Sequence, residues 1–284
     1  MTDPTRQGEI SPDQFLKFRD FFYRKTGIFF EENKRYFVDK RLIERIKATE
    51  SNSFREYFTS IRFETDGREL QNLINLMTVN ESYFYREIYQ LECLVRSILP
   101  ELIRTGDYGK ARPVRIWSIP CSTGEEPYSI ALYLLENWDG LADYDVEITA
   151  SDIDTKVLAS ARKGEYELRA VSHLPMRVLK KHFIDMGSNR YIIKKELREI
   201  ITFCRINIIN YQEMGRYRDI DIVFCRNLLL YFDETSRRIA AEGLFDVLRP
   251  GGFVCLGHSE SMSRITPLFL PRKFAEAIVY QKPF

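Results

Sequence analysis

Residues 114–129 read VRIWSIPCSTGEEPYS. An apolar run of strand length meets a turn of small residues containing Gly124, and a helical pattern, EEPYSIALYLLEN (125–137), follows at once. Strand, glycine turn and helix form the repeating unit of parallel α/β sheets, whose ligand sites lie at the carboxyl ends of the strands. The lysine that would hold a phosphate is missing, and Glu125 and Glu126 stand in its place. Acids in a first turn stabilise a helix by themselves, so capping is one reading. As ligand contacts they disfavour a pyrophosphate and favour a group carrying an ammonium or a sulfonium.

The same rhythm continues down the chain. DVEITAS (145–151), ITFCRINI (201–208), DIDIVFC (219–225) and GGFVCLGHS (251–259) are apolar runs of strand length separated by helical patterns such as ETSRRIAAEGLFDVL. Uninterrupted apolar strands between helices predict a parallel sheet covered on both faces. KFAEAIVYQK (273–282) is expected as a final edge strand. Residues 165–200 break the alternation: they are polar, with a turn at GSN, and predict a small helix and β-hairpin standing off the sheet. The first 75 or so residues differ in kind. SPDQFLKFRDFFYRKTG starts with a cap and Pro12, ends at Gly27, and spaces Phe15, Phe18 and Phe22 on one face, so a small helical bundle is expected there.

Composition bounds the function. With 284 residues and 44% apolar content the chain is long enough for one large or two modest domains. Its net charge of +1 offers no broad basic surface for nucleic acid or an anionic membrane. No window is long and apolar enough to span a bilayer, and the N-terminus lacks the apolar core of a signal peptide. The five scattered cysteines are expected to be reduced, largely buried thiols of a cytoplasmic protein. No Cys/His spacing suggests a metal site.

Three further segments place polar residues near strand ends. In ASDIDTKVLASAR, Asp152 stands where a carboxylate accepts ribose hydroxyls in nucleoside-binding sheets, or else caps, while Asp154 is a candidate helix cap. FCRNLLLYF carries Asn227 and Tyr231 just past a strand, although its leucines also suit a core. NESYFYRE (80–87) joins the two regions and holds Arg86 among aromatic residues.

NESYFYRE, CSTGEEPYSIA, ASDIDTKVLASARKGEY, FCRNLLLYFD and LRPGGFVCLGHSESM together resemble, in order, the motifs of the CheR-type chemotaxis receptor methyltransferases. Ser82 replaces the family's threonine and keeps a hydroxyl, and Pro120 stands where an alanine is common. The resemblance implies an all-helical N-terminal domain (1–77) and a Rossmann-like methyltransferase domain (78–284) with a small β-subdomain inserted at about 165–200. It implies S-adenosylmethionine as cofactor, S-adenosylhomocysteine as product, and methyl esters formed on glutamates of a chemoreceptor's cytoplasmic helical domain. By motif, Asn80, Ser82, Arg86, Glu126, Asp152, Asn207, Ile208, Asn227 and Leu228 are expected at the cofactor, with Arg86 and Tyr231 near the reacting groups.

The substrate carboxylate ionises near pH 4.3 in its unperturbed state, so no general base is needed at neutral pH. Lys34, Arg41 and Arg45, spaced i, i+7, i+11 in NKRYFVDKRLIERIK, are either a solvated face or the surface that docks an acidic receptor helix. The connection IDMGSNRYII, with a single glycine, is short, so independence from a receptor C-terminal pentapeptide is expected, and the chain is expected to be monomeric. An idle cofactor-binding sensor is the competing class; the presence of Arg86 and Tyr231 argues against it. A hydrolase is disfavoured because GHSES (257–261) lacks a nucleophile elbow's second glycine.

Overall fold

The computed structural model describes residues 9–106, 108–109 and 112–284, which divide into two compact units. The first comprises the chain up to Val79 together with Tyr231–Ser236; the second comprises Asn80–Leu230 and Arg237–Phe284.

The first unit is helical. Helix α1 (Pro12–Thr26) begins with a reciprocal cap, in which the Ser11 hydroxyl accepts the Gln14 N–H and the Gln14 side chain accepts the Ser11 N–H. Gly27 closes it at φ 74°, a left-handed cap that glycine adopts without a Cβ clash. The buried stripe is Phe15, Phe18, Phe21 and Phe22. Helices α2 (Arg35–Ala48), α3 (Phe54–Phe63) and α4 (Arg68–Met77) contribute Val38, Leu42, Tyr57, Leu73, Ile74 and Met77 to the buried interior.

The basic stripe expected on α2 is only partly a surface. Lys34 lies in the short 3-10 turn Glu32–Lys34 ahead of the helix and is exposed. Arg41 turns inward: its Nε donates to the Leu76 carbonyl at 2.7 Å and its guanidinium covers the Phe37 ring at 3.4 Å. Arg45 forms a two-pronged pair with Glu69 at 2.9 and 2.6 Å, and the Tyr57 hydroxyl donates to the same carboxylate. Spacing alone placed these arginines on one face, but α4 packs on α2 and supplies their partners. Both are intramolecular clamps, so the reading of a freely solvated face does not hold for Arg41 and Arg45.

The second unit is built on a seven-stranded sheet. Its strands are β1 (Val114–Ser118), β2 (Val146–Asp152), β6 (Ile201–Arg205), β7 (Ile220–Cys225), β8 (Leu248–Leu256), β9 (Leu270–Lys273) and β10 (Ile278–Gln281), in the order β6-β2-β1-β7-β8-β10-β9. The five strands from β6 to β8 are parallel; β10 pairs antiparallel with β8, and β9 antiparallel with β10. The expected final strand forms, but it is not the edge. Leu270–Lys273 lies outside it, hidden in the sequence by Pro271, a residue that sheets tolerate at an edge.

Strand order reverses between β1 and β7, since β2 continues on one side of β1 and β7 starts the other. The insertion holds three strands rather than a hairpin: β3 (Glu165–Glu167), β4 (Phe183–Gly187) and β5 (Arg190–Ile193), ordered β3-β5-β4. Ser188 and Asn189, both at positive φ, make the tight reversal between β4 and β5. Side chains from one face of the large sheet, such as Ile116, Ile148, Ile222, Phe224, Phe253 and Cys255, share one hydrophobic core with the insertion.

Candidate functional site

The carboxyl ends of β1, β2, β7 and β8 carry the polar residues that the apolar strands do not need for packing. After β2, Asp152 is almost fully buried, yet its carboxylate meets backbone rather than a cation. The Ser122 and Asp154 N–H groups each donate to one of its oxygens at 2.9 Å. Burial pushes its pKa up to about 6, and those two hydrogen bonds pull the other way. The Ile153 N–H adds to them, and a carboxylate's roughly four acceptor sites still exceed these three donors. Asp154 is the cap of the following helix, Thr155–Lys163, accepting the Lys156 and Val157 N–H groups, and its other oxygen accepts the Asn80 amide at 3.0 Å.

The loop after β1 turns through Ser122 (φ 49°) and Gly124 (φ 96°). A side chain at Gly124 would lie 2.9 Å from the Ala161 Cβ and 3.0 Å from the Tyr166 hydroxyl. The glycine therefore serves close packing of the turn against protein. The Ser122 Oγ is buried with no hydrogen-bond partner.

The two glutamates at the head of helix Glu125–Asn137 do different work. Glu125 is buried and accepts the Thr123 hydroxyl at 2.7 Å. Burial raises its pKa, and the Thr123 and Ser82 hydroxyls oppose the rise. Glu126 accepts the Ser118 hydroxyl at 2.7 Å and Nη1 of Arg226 at 3.0 Å, directly at the β1/β7 reversal. Burial raises its pKa too, and Arg226 lowers it. Part of the negative charge expected to wait for a cationic ligand is thus already balanced by Arg226.

Arg226, to which the sequence assigns no role, is only 6% exposed. It also donates to the Arg86 carbonyl at 2.7 Å and pairs with Glu87 at 3.2 Å. The next residue, Asn227, has φ 58°, and Glu260 holds the turn by accepting the N–H groups of Asn227, Leu229 and Gly257. Leu228 is half-buried in the same turn. Asn207 and Ile208 are buried past the end of β6, where Glu213 accepts the Asn207 N–H at 2.8 Å.

Hydrogen bonds thus join Asn80 to the β2 end, Ser82 to Glu125, and Arg86 through its carbonyl to β7. Tyr231 and the three cations of the expected docking stripe belong to the other unit. There the Tyr231 carbonyl accepts the Phe29 N–H at 3.4 Å, and its side chain is partly exposed.

Thiol and metal chemistry find little support in this geometry. Burial drives the thiols of Cys121, Cys225 and Cys255 well above their ordinary range and that of Cys93 to about 12. Among the described residues no group of three or more His, Cys, Asp or Glu side chains is arranged to hold a metal ion, and no helix is long and apolar enough to cross a membrane.

Residues 80–277 match the family described as "CheR methyltransferase, SAM binding domain", and residues 13–78 match "CheR methyltransferase, all-alpha domain". The chain is 50% identical to chemotaxis protein methyltransferase 2 of Vibrio cholerae serotype O1, over 96% of this chain and 94% of that one. It is 37% identical to chemotaxis protein methyltransferase 2 of Pseudomonas aeruginosa, over 88% and 86% of the two chains.

The strand-end residues fit that cofactor. Asp152 keeps acceptor capacity that a hydroxyl could use, Ser122 Oγ is a buried hydroxyl without a partner, and Glu125 and Glu126 set carboxylates at the same strand ends. The chain belongs to the CheR methyltransferase family and is an S-adenosylmethionine-dependent methyltransferase.

Proposed function

We propose that this enzyme methylates glutamate side chains in the cytoplasmic helical domain of chemoreceptors, giving glutamyl methyl esters. The carrying observation is near-full-length identity of 50% to a chemotaxis protein methyltransferase. S-adenosylmethionine supplies the methyl group and leaves as S-adenosylhomocysteine. The oxygen–methyl bond forms as the sulfur–methyl bond breaks, the carboxylate's charge and the sulfonium's charge disappear together, and no proton moves. A carboxylate is already ionised at neutral pH, so the protein's task is alignment and exclusion of water.

In this reading Asp152 holds the ribose. Asn80 and Ser82 fix the segment over the crevice, as their bonds to Asp154 and Glu125 suggest. Glu126 faces the cationic end of the cofactor, Asn207 and Ile208 flank the adenine, and Asn227 and Leu228 contact the cofactor from the β7 turn. Arg86, half-exposed and anchored by its Nη1 to the Glu81 carbonyl, orients the incoming carboxylate. Tyr231 is assigned to positioning by its place in the FCRNLLLYF motif.

The helical unit is assigned to receptor docking, with the exposed Lys34 as its cationic contact. The two-residue reversal between β4 and β5 leaves little backbone to close over an added peptide, which supports independence from a receptor C-terminal pentapeptide. The test is transfer of labelled methyl groups to a receptor cytoplasmic domain, followed by mild alkali. Release as methanol is expected; alkali-stable label would place the methyl on nitrogen or sulfur and reject the proposal. Trimming the receptor's last five residues should leave the rate unchanged.

A further inference from the structure

Arg86 sits between two residues that no glycine relieves. Tyr85 has φ 59° and Glu87 has φ 52°, both in the left-handed region that side chains other than glycine rarely enter. Strained backbone of this kind persists only where its surroundings fix it. The Tyr85 N–H donates to Ser129 Oγ at 3.0 Å, and Gln90 ties Glu87 to the Leu256 carbonyl. Arg226 adds a further restraint. One planar guanidinium donates to the Arg86 carbonyl at 2.7 Å, to Glu126 at 3.0 Å, and pairs with Glu87 at 3.2 Å. Its Nε is buried without a partner, so the fork is committed to these three contacts. Glu87 in turn accepts from Tyr89 and meets His258 at 3.2 Å.

We infer that Arg226 is a positioning residue: through the Arg86 carbonyl and the Glu87 carboxylate it locks the strained peptide that aims Arg86, while neutralising Glu126 at the strand reversal. The inference rests on the role proposed above for Arg86. A lysine keeps the charge but has no fork to hold a carbonyl and two carboxylates at once. Arg226→Lys should therefore retain the fold and lose turnover.

A kinetic double-mutant cycle on the full chain separates positioning from general support. Arg86→Ala, Arg226→Lys and the double variant are compared by kcat at saturating cofactor with a receptor cytoplasmic domain as substrate, and by S-adenosylhomocysteine affinity. If Arg226 acts through Arg86, Arg226→Lys lowers kcat on the order of tenfold, and the double variant stays within roughly threefold of Arg86→Ala alone. Multiplying losses from an impaired Arg86→Ala would overturn the inference and leave the role of Arg86 standing. A fully active Arg86→Ala enzyme would remove that role, and the inference with it. Should Arg226→Lys fail to fold, Glu87→Gln replaces it in the same cycle: it removes one charged partner of the guanidinium and must show the same non-additivity, its additivity counting against the inference.

Discussion

Two carboxylates of the second unit are almost fully buried and have opposite fates. Glu136, near the end of helix Glu125–Asn137, meets Arg177 at 2.7 Å, Lys181 at 2.8 Å and His182 at 2.7 Å, all on helix Met176–His182 of the insertion. Those partners, through the Lys181 and His182 hydrogen bonds first, hold its pKa down to about 2. Asp152 has only backbone dipoles and is pushed up to about 6. Burial is common to both, so burial does not mark a functional acid. A carboxylate ion-paired with Arg177 and Lys181 is a clamp, whereas one held by backbone N–H groups alone has no countercharge of its own.

Breaking the clamp should have the largest effect on stability. Glu136→Gln should cost about 2–3 kcal/mol in denaturant unfolding, because hydrogen bonds to charged groups are lost at a buried site. A depressed carboxyl pKa gives stability that is present above its unfolded value near 4.5 and lost as pH falls toward about 2. The variant should lack that acid limb, while S-adenosylhomocysteine affinity stays unchanged. A tenfold loss of affinity in Glu136→Gln would erase the distinction drawn between the two acids.

Asp152→Ala should instead weaken S-adenosylhomocysteine by roughly tenfold or more, corresponding to about 1.5–3 kcal/mol for charged hydrogen bonds. An unchanged calorimetric dissociation constant would remove the ribose from Asp152. The pH dependence also has the opposite sign. The raised pKa of Asp152 favours the folded protein below its unfolded value near 3.8, and that contribution is lost as pH rises through about 6. Ligand hydroxyls need the ionised acceptor, so affinity should strengthen across the same interval. A flat affinity profile from pH 5 to 8 would separate Asp152 from the ligand.

The smallest effects concern the helical unit, where the same contrast holds among cations. Arg45→Met should destabilise by about 1–2 kcal/mol through its Glu69 pair, and added salt should not restore the loss. Lys34→Glu should leave stability within about 0.5 kcal/mol, as exposed substitutions do. It should slow receptor methylation a few-fold at low salt only, since screening weakens exposed charge pairs. Equal methylation rates for wild type and Lys34→Glu at low ionic strength would take Lys34 out of docking.

The parallel sheet, the helical N-terminal region and the cofactor class were all legible in the sequence. Strand periodicity, helix caps such as Ser11 and Gly27, and the run CSTGEEPYS are local signals written by neighbouring residues. Pairing is not local. Arg41 and Arg45 looked like one surface until α4 supplied the Leu76 carbonyl and Glu69. Gly124 marks a turn in the sequence, but that Ala161 and Tyr166 leave no space for a side chain there is decided by the fold. Leu270–Lys273 gave no strand signal because Pro271 hides an edge.

Arg226 marks the boundary most clearly. The sequence by itself determined which residue types gather at the strand ends, because side-chain period and turn chemistry are properties of short segments. Only the tertiary structure decided that groups 100 to 140 positions away from it, on Glu126, Glu87 and the Arg86 carbonyl, share the Arg226 guanidinium. Burying a charge is tolerable only when its partners arrive with it, and those partners come from separate elements that the strand order brings together.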